Sequence, residues 1–321
     1  RMWASYLLGY NYYCRNDLQN ALSHFNEAVE NRYVLYNAAA IDSMAGLALA
    51  YQELNQPENA ARIISDMQEF AWETKNPAYV TIARSCQARL ALLQGDVIKA
   101  RRHLQSADVT ADAGIMFFWL ETPRLTQCRL LIAAGTPTSR AEADQKLELF
   151  RQVEKSNHNS LKMIEILLLQ TVSYHKQGRL DDALQSLSEA VLAAHISGIS
   201  RPFIEAGPEL LKLLPQLTPQ DATAPFIKTV RKEISIHQPR SALPVDRDGP
   251  TGSFAEDLTY REREVLALLA DEMSNQEIAA ELTISTNTVK RHTGALYRKL
   301  DVKNRRQAVV KAESLGILDA L

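Results

Sequence analysis

The chain has 321 residues, long for one compact domain and suited to two or more. Hydrophobic residues make up 46% and charged residues 23%, and the longest apolar run, Ile115 to Leu120, falls far short of the roughly 20 residues of a bilayer span. A net charge of −2 would disfavour nucleic acid as a partner if it were evenly spread, and it is not.

No charged-then-apolar leader opens the sequence. It begins at Arg1, and Arg1 to Tyr13 already reads as helix, so a piece of a longer protein is expected. A repeat then organises the first two thirds. Alanines followed by a bulky apolar residue recur as Ala21, Phe25 and Ala28, then Ala60, Ile64 and Met67, then Ala100, Leu104 and Ala107. Ala183, Leu187 and Ala190 form a further set; the intervals are 39, 40 and 83 residues, the last close to two units. Five positions before each first alanine stands a turn residue, Asn16, Asn55, Gly95 or Gly178, and four before that stands Tyr12, Tyr51, Ala91 or Tyr174.

Small alanines let two antiparallel helices approach, larger side chains fill the gap, and the turn residue tolerates the left-handed backbone that ends a helix. The missing unit is expected between Thr122 and Glu154, with Gly135 and Pro137 in its turn. Helix pairs are thus predicted from Arg1 to about Ser197, stacked as a superhelix with a concave face. An irregular helical bundle without a groove is the alternative. After Gly198 the repeat fades through Pro202, Gly207, Pro208 and Pro215, and a last helical stretch runs from about Asp221 to Ile236. The division expected is a repeat domain over 1–236, a flexible linker rich in proline and glycine over 237–256, and a second domain over 257–321.

In that second domain Thr259 and Glu262 have capping-box spacing before the apolar Val265, Leu266, Leu268 and Leu269. Ser274 and Glu277 repeat the device before Ile278, Ala279 and Leu282. After a turn at Thr283 and Ile284, Ser285 or Thr286 caps a third helix with Val289, Leu296 and Leu300 inward. A fourth helix spans about Arg305 to Leu315. Two short helices and a tight turn before a longer helix with a polar outer face form a helix-turn-helix, whose second member enters the major groove. Its polar residues Thr286, Asn287, Thr288, Lys290, Arg291 and His292 are the candidates for facing bases. Ser285, Tyr297, Arg298, Lys299, Lys303, Arg305 and Arg306 are the candidates for phosphate. Between Asp257 and Leu282 the net charge is −5, and between Thr286 and Lys311 it is +7. Phosphate contact needs basic residues on one face only.

Cys14, Cys86 and Cys128 lack the paired spacing of a zinc site and read as reduced thiols. No nucleophile–base set or metal-ligand cluster is recognisable, and His24, His103 and His175 sit at ordinary helical positions. No catalytic or metal residue is assigned, and an enzyme is the least favoured class. No glycine is followed by lysine, which excludes a GxxxxGK[ST] phosphate loop from these residues. A response regulator would need alternating strands and helices, which the pattern lacks. An interaction scaffold, whose terminal domain merely docks, would show no sequence-selective or salt-dependent DNA affinity.

Leu8-Gly9, Tyr12, Asn16, Ala21, Phe25 and Ala28 resemble the tetratricopeptide (TPR) pattern, although the period near 40 exceeds the usual 34. LTYREREVLALLA, SNQEIAAEL, NTVKRH, YRKLDVKNR and AVVKAESLGIL resemble the LuxR-type helix-turn-helix across the whole second domain. Glu272 and Gly294 depart from it, standing where many members have glycine and a polar or basic residue respectively. The combination is similar to the large ATP-binding, MalT-like LuxR regulators. That resemblance implies an all-α protein, a TPR-like superhelix followed by a four-helix LuxR-type domain, acting as a transcriptional activator in the bacterial cytoplasm at the nucleoid. It implies no cofactor within these residues and an ATP-binding domain upstream. It implies as partners double-stranded DNA, RNA polymerase, a small-molecule effector or regulatory protein at the repeats, and no membrane. The last helix, through Val309, Ala312 and Glu313, would be a homodimer contact on DNA or would simply pack on the third helix.

Overall fold

The computed structural model describes residues 2–105, 119–217, 222–237, 260–271, 273–282, 285–300, 302 and 304–314, and the described residues are helices and their connections, without a strand. They fall into two compact units, Arg1–Ser241 and Ala242–Leu321. The linker expected at 237–256 lies outside the described residues apart from His237, which ends a helix.

The first unit begins with five helix pairs: α1 (Met2–Cys14) with α2 (Leu18–Glu30), α3 (Asn37–Glu53) with α4 (Pro57–Glu73), and α5 (Pro77–Leu93) with α6 (Val97–Gln105). The last two are α7 (Pro123–Ala134) with α8 (Pro137–Ser156), and α9 (Ser160–Lys176) with α10 (Leu180–Ala194). Of the turn residues read from the sequence, Asn16 at φ 62°, Asn55 at 56°, Gly95 at 81°, Gly135 at 72° and Gly178 at 76° have a left-handed backbone, whereas Pro137 is the first residue of α8. The helix ends are closed by a backbone bond that crosses each turn. The amides of Asp17, Gln56, Asp96 and Arg179 donate to the carbonyls of Tyr12, Tyr51, Ala91 and Tyr174 at 2.8–3.0 Å. The carbonyl at the Tyr12, Tyr51, Ala91 or Tyr174 position of the repeat thus accepts the bond that crosses its turn.

Ala21, Phe25 and Ala28 are fully buried, as are Met67, Ala100, Ala183, Leu187 and Ala190. Removing an aromatic or aliphatic side chain of this kind from water contributes roughly 1.5–3 kcal/mol. Phe25 also fixes two glycines, because a Cβ on Gly9 or Gly46 would run into its ring. The fourth pair follows the same logic in a shifted frame. Ala143 and Leu147 are its buried pair, eight residues after the turn at Gly135 rather than five. Pro137 stands in the first turn of α8, and Thr136 and Ser139 form a reciprocal cap.

After the fifth pair come α11 (Arg201–Ala206), α12 (Leu210–Leu213), a 3₁₀ turn (Leu214–Gln216) and α13 (Ala224–His237). Pro202 does not disrupt α11, since it occupies the first turn, where no backbone donor is needed. Although short, α11 reaches far back in the chain. The amide of Ser200 donates to the carbonyl of Cys14 at 3.1 Å. Fully buried Arg201 donates to Asn16 Oδ1 at 3.1 Å, to Glu53 at 2.7 Å and to Glu205 at 3.1 Å. Glu205 also accepts from the Tyr13 hydroxyl at 2.6 Å and from Arg89. Burial alone would push the Glu205 carboxyl up, but the guanidiniums of Arg89 and Arg201 outweigh it and hold that carboxyl well below the usual range. Arg89 continues the network to the Leu120 carbonyl at 2.7 Å and to Glu121, which accepts from Ser85 and Thr126.

Asp42 on α3 is fully buried beside this network, accepting from Tyr6 at 3.0 Å and from the Leu120 amide at 2.8 Å. Its burial raises the carboxyl pKa to about 7. All three cysteines are free and buried, and burial pushes the Cys128 thiol up to about 12. No helix among the described residues is long and apolar enough to cross a membrane, and none of their His, Cys, Asp and Glu residues group as a metal site.

Candidate nucleic-acid interface

The second unit contains α14 (Tyr260–Ala270), α15 (Asn275–Glu281), α16 (Thr286–Lys299) and α17 (Arg305–Ser314). Val265, Leu266, Ile278, Val289, Leu296, Ala308 and Ala312 form one buried cluster drawn from all four helices. The expected cap at Thr259, the turn at Thr283 and Ile284, Glu272 and Lys303 lie outside the described residues, as does the side chain of Glu313.

Caps set the angle at which the two central helices begin. Ser274 accepts from the Glu277 amide at 3.3 Å, and the Glu277 carboxylate accepts from the Ser274 amide at 2.7 Å. That backbone bond holds the Glu277 carboxyl below its ordinary value. Ser285 rather than Thr286 caps α16: its hydroxyl accepts from the Thr288 amide at 3.1 Å and lies 2.8 Å from the Thr288 hydroxyl. Both hydroxyls are thereby engaged within the helix start.

With its buried stripe at Val289, Thr293, Leu296 and Leu300, α16 carries Asn287, Arg291, Gly294 and Arg298 on the opposite face. All four are exposed, and so are Thr286 and Lys290. The six candidates on either side of Val289 therefore separate. Asn287 and Arg291 stand on the outermost line, Lys290 on one flank, and Thr288 and half-buried His292 on the other. On the Lys290 flank a shallow hollow of about 420 Å³ gathers Lys290, Gly294 and Tyr297 with Asn275 and Arg305.

Two of the basic residues already have partners. The Lys299 ammonium lies 2.7 Å from Glu262, whose carboxylate is buried. The Arg305 guanidinium donates at 2.6 Å to the carbonyls of both Leu269 and Met273, so it closes the C-terminal end of α14. Arg298 and Arg306 remain exposed. In α17, Ala312 is fully buried and Val309 packs against the same cluster, while Val310 is 55% exposed. The sequence reading passed over Val310, because a lone valine in a helix carries no signal of which face it occupies.

Stacked helix pairs followed by a capped helix-turn-helix with a basic outer stripe define a DNA-binding regulator. The match to protein families is specific about which kind. The MalT-like TPR region matches residues 1–220, and the bacterial regulatory proteins of the luxR family match residues 256–312. The chain belongs to the MalT-like family, with a luxR-type DNA-binding domain at its C-terminal end. It is 28% identical over 240 residues to the HTH-type transcriptional regulator MalT of Cronobacter sakazakii, across 70% of this chain and 26% of that protein. It is 26% identical over 240 residues to the protein of the same name from Klebsiella pneumoniae, with the same shares of each covered. The chain thus spans about a quarter of the length of these curated relatives. Its two matched regions are a helical-repeat region and a DNA-binding domain, neither of them catalytic.

Proposed function

We propose that this chain is the sensing and DNA-reading part of a transcriptional activator. Asn287, Lys290 and Arg291 reach base edges in the major groove, with Thr286 at the groove entrance. Arg298 and Arg306 hold phosphate, joined by Lys299, Arg305, Tyr297, Lys303 and the Ser285 end of α16. The observation that carries this reading is the exposed polar and basic line on α16 directly opposite its buried stripe.

In this reading the repeat unit senses a small effector or a regulatory protein. An ATP-binding domain lies upstream, and two copies on DNA recruit RNA polymerase. Val310 rather than Ala312 supplies the dimer face, since Ala312 is spent on the core. No cofactor is held by these residues.

The test is a gel shift on the cognate promoter over a salt series. Lys290→Ala with Arg291→Ala should abolish preference for that promoter while leaving weak, salt-sensitive binding. Equal binding of the promoter by the double variant and the parent would refute the placement of the reading helix. A parent without salt-dependent DNA affinity would favour an interaction scaffold instead.

A further inference from the structure

The last helix of the repeat unit, α13, has two unlike faces. Ile227, Val230 and Ile234 are buried in one cluster with Phe203 of α11 and Leu213 of α12. On helical spacing the opposite face carries Lys228 and Lys232, with Arg231 on its flank, and all three are exposed. The one carboxylate of the helix, Glu233, is half-buried, with its Oε2 shielded from solvent. Among the described residues no ion pair or side-chain hydrogen bond engages any of the three cations.

Other charged faces of the unit are balanced or acidic. The exposed charges of α4 are Glu58, Arg62, Asp66, Glu69 and Glu73. Arg151 on α8 pairs with Glu189, and Arg179 at the start of α10 pairs with Asp182. A stripe of like charges without carboxylates repels itself, and a polyanion laid along it relieves that repulsion.

Position in the chain favours one polyanion. His237 ends α13 and Tyr260 begins α14, so only residues 238–259 lie between them. Such a stretch spans at most about 80 Å when fully extended. With α16 in a major groove, duplex within about 24 base pairs is in reach of α13. A second contact made through a tether is intramolecular and needs little intrinsic affinity.

We propose that α13 is a second DNA contact, in which Lys228, Arg231 and Lys232 hold phosphates of the duplex flanking the operator. This contact rests on the reading of α16 as the groove helix, and it ties the repeat unit itself to DNA. Phosphate contacts carry no base preference, so it adds affinity and salt dependence without altering which operator is chosen.

The test is a gel shift of the full chain from about 50 to about 200 mM salt on two duplexes. One is the operator alone, bounded by footprinting, and the other adds about 30 base pairs on each side. The triple variant Lys228→Ala, Arg231→Ala, Lys232→Ala should bind the short duplex as the parent does. On the long duplex its salt slope should fall by about two to three units, so that the parent loses roughly 10- to 40-fold more affinity over this range. The charge-keeping variant Lys228→Arg, Arg231→Lys, Lys232→Arg should match the parent. An unchanged slope on the long duplex, or an equal loss on both, overturns this contact alone while the parent still selects its operator. Unchanged DNA affinity with lost binding to phosphatidylserine vesicles would make the stripe a membrane contact and also overturn it. A parent without salt-dependent affinity for either duplex refutes the reading of α16, and this contact with it.

Discussion

The guanidinium of Arg201 lies 2.7 Å from the carboxylate of Glu53, 148 positions away in the sequence, and so joins α11 to α3. The same group serves Asn16 and Glu205 and sits 5.4 Å from the Tyr13 ring. Arg201→Ala strands several buried acceptors at once and should destabilise the repeat unit by about 3–5 kcal/mol. Arg201→Lys should recover little, since an ammonium lacks the planar fork that meets three partners. Urea denaturation reads the loss, and a change below about 1 kcal/mol for the alanine variant would show the network to be dispensable.

Asp42 makes stability depend on pH in the opposite direction from most carboxylates. Its folded pKa of about 7 exceeds the ordinary 3.8, so between those values the folded chain keeps a proton that the unfolded chain has released. Stability is therefore lost as pH rises through this window. The melting temperature of the repeat unit should fall between about pH 4 and about pH 7, and Asp42→Asn should flatten that fall. Glu165 and Glu205, whose folded pKa values are depressed, lose their contributions only as the pH drops below the ordinary carboxylate range. A slope unaltered by Asp42→Asn would assign it to another group.

Gly9 and Gly46 both face the Phe25 ring, and a Cβ on Gly9 would come within 2.6 Å of Phe25 Cδ1. Gly9→Ala and Gly46→Ala should each cost about 1–3 kcal/mol through overpacking, despite the better helix propensity of alanine. Gly294→Ala is the counter-example, because a Cβ there meets nothing within 4 Å. It should stabilise the second unit by up to about 1 kcal/mol. Paired thermal melts of the three variants separate the two effects by sign.

Arg305 and Arg306 are adjacent, yet their variants should differ. Arg305→Ala releases the carbonyls of Leu269 and Met273 and should lower the melting temperature of the second unit as well as weaken DNA binding. Arg306→Ala should leave the melt unchanged and reduce affinity for all sequences, flattening the salt slope by about one unit. Matching melts for the two variants would remove the structural role assigned to Arg305.

Gly294 also offers a gain of function. Gly294→Lys adds a cation to the outermost line of α16 and should tighten binding to every DNA sequence while steepening the salt dependence. Tighter binding to one promoter alone would instead mean that position 294 reads bases.

What the sequence made legible was whatever repeats or caps. Asn16, Asn55, Gly95 and Gly178 stand in a fixed relation to buried alanines because one backbone geometry recurs, and the structure places a left-handed turn at each. The turns between pairs were not legible in the same way. Lys75 and His158 adopt φ of 56° and 54°, and no recurring residue marks the two positions. Ala143 escaped notice because it stands eight residues after its turn, three positions out of the frame kept by the other pairs. The helix α11 was read as the fading of the repeat because Pro202, Gly207 and Pro208 interrupt the pattern there, and its importance lies in tertiary contacts that no local pattern encodes. In the second unit, Ser274 with Glu277 signalled a helix start directly. The engagements of Lys299 and Arg305 were hidden, since a basic residue looks alike whether it awaits phosphate or closes its own fold.

The reach of α11 has a consequence for how the protein is made. In an ordinary solenoid each repeat leans only on its neighbours, so it can settle as soon as the next has left the ribosome. Here Asn16 and Glu53 acquire their shared cation only once residue 201 has been synthesised. The opening pairs must wait, incomplete, through nearly the whole array. A truncation before Ser200 should yield a chain that lacks its keystone, and the array should unfold as one cooperative body instead of fraying from an end.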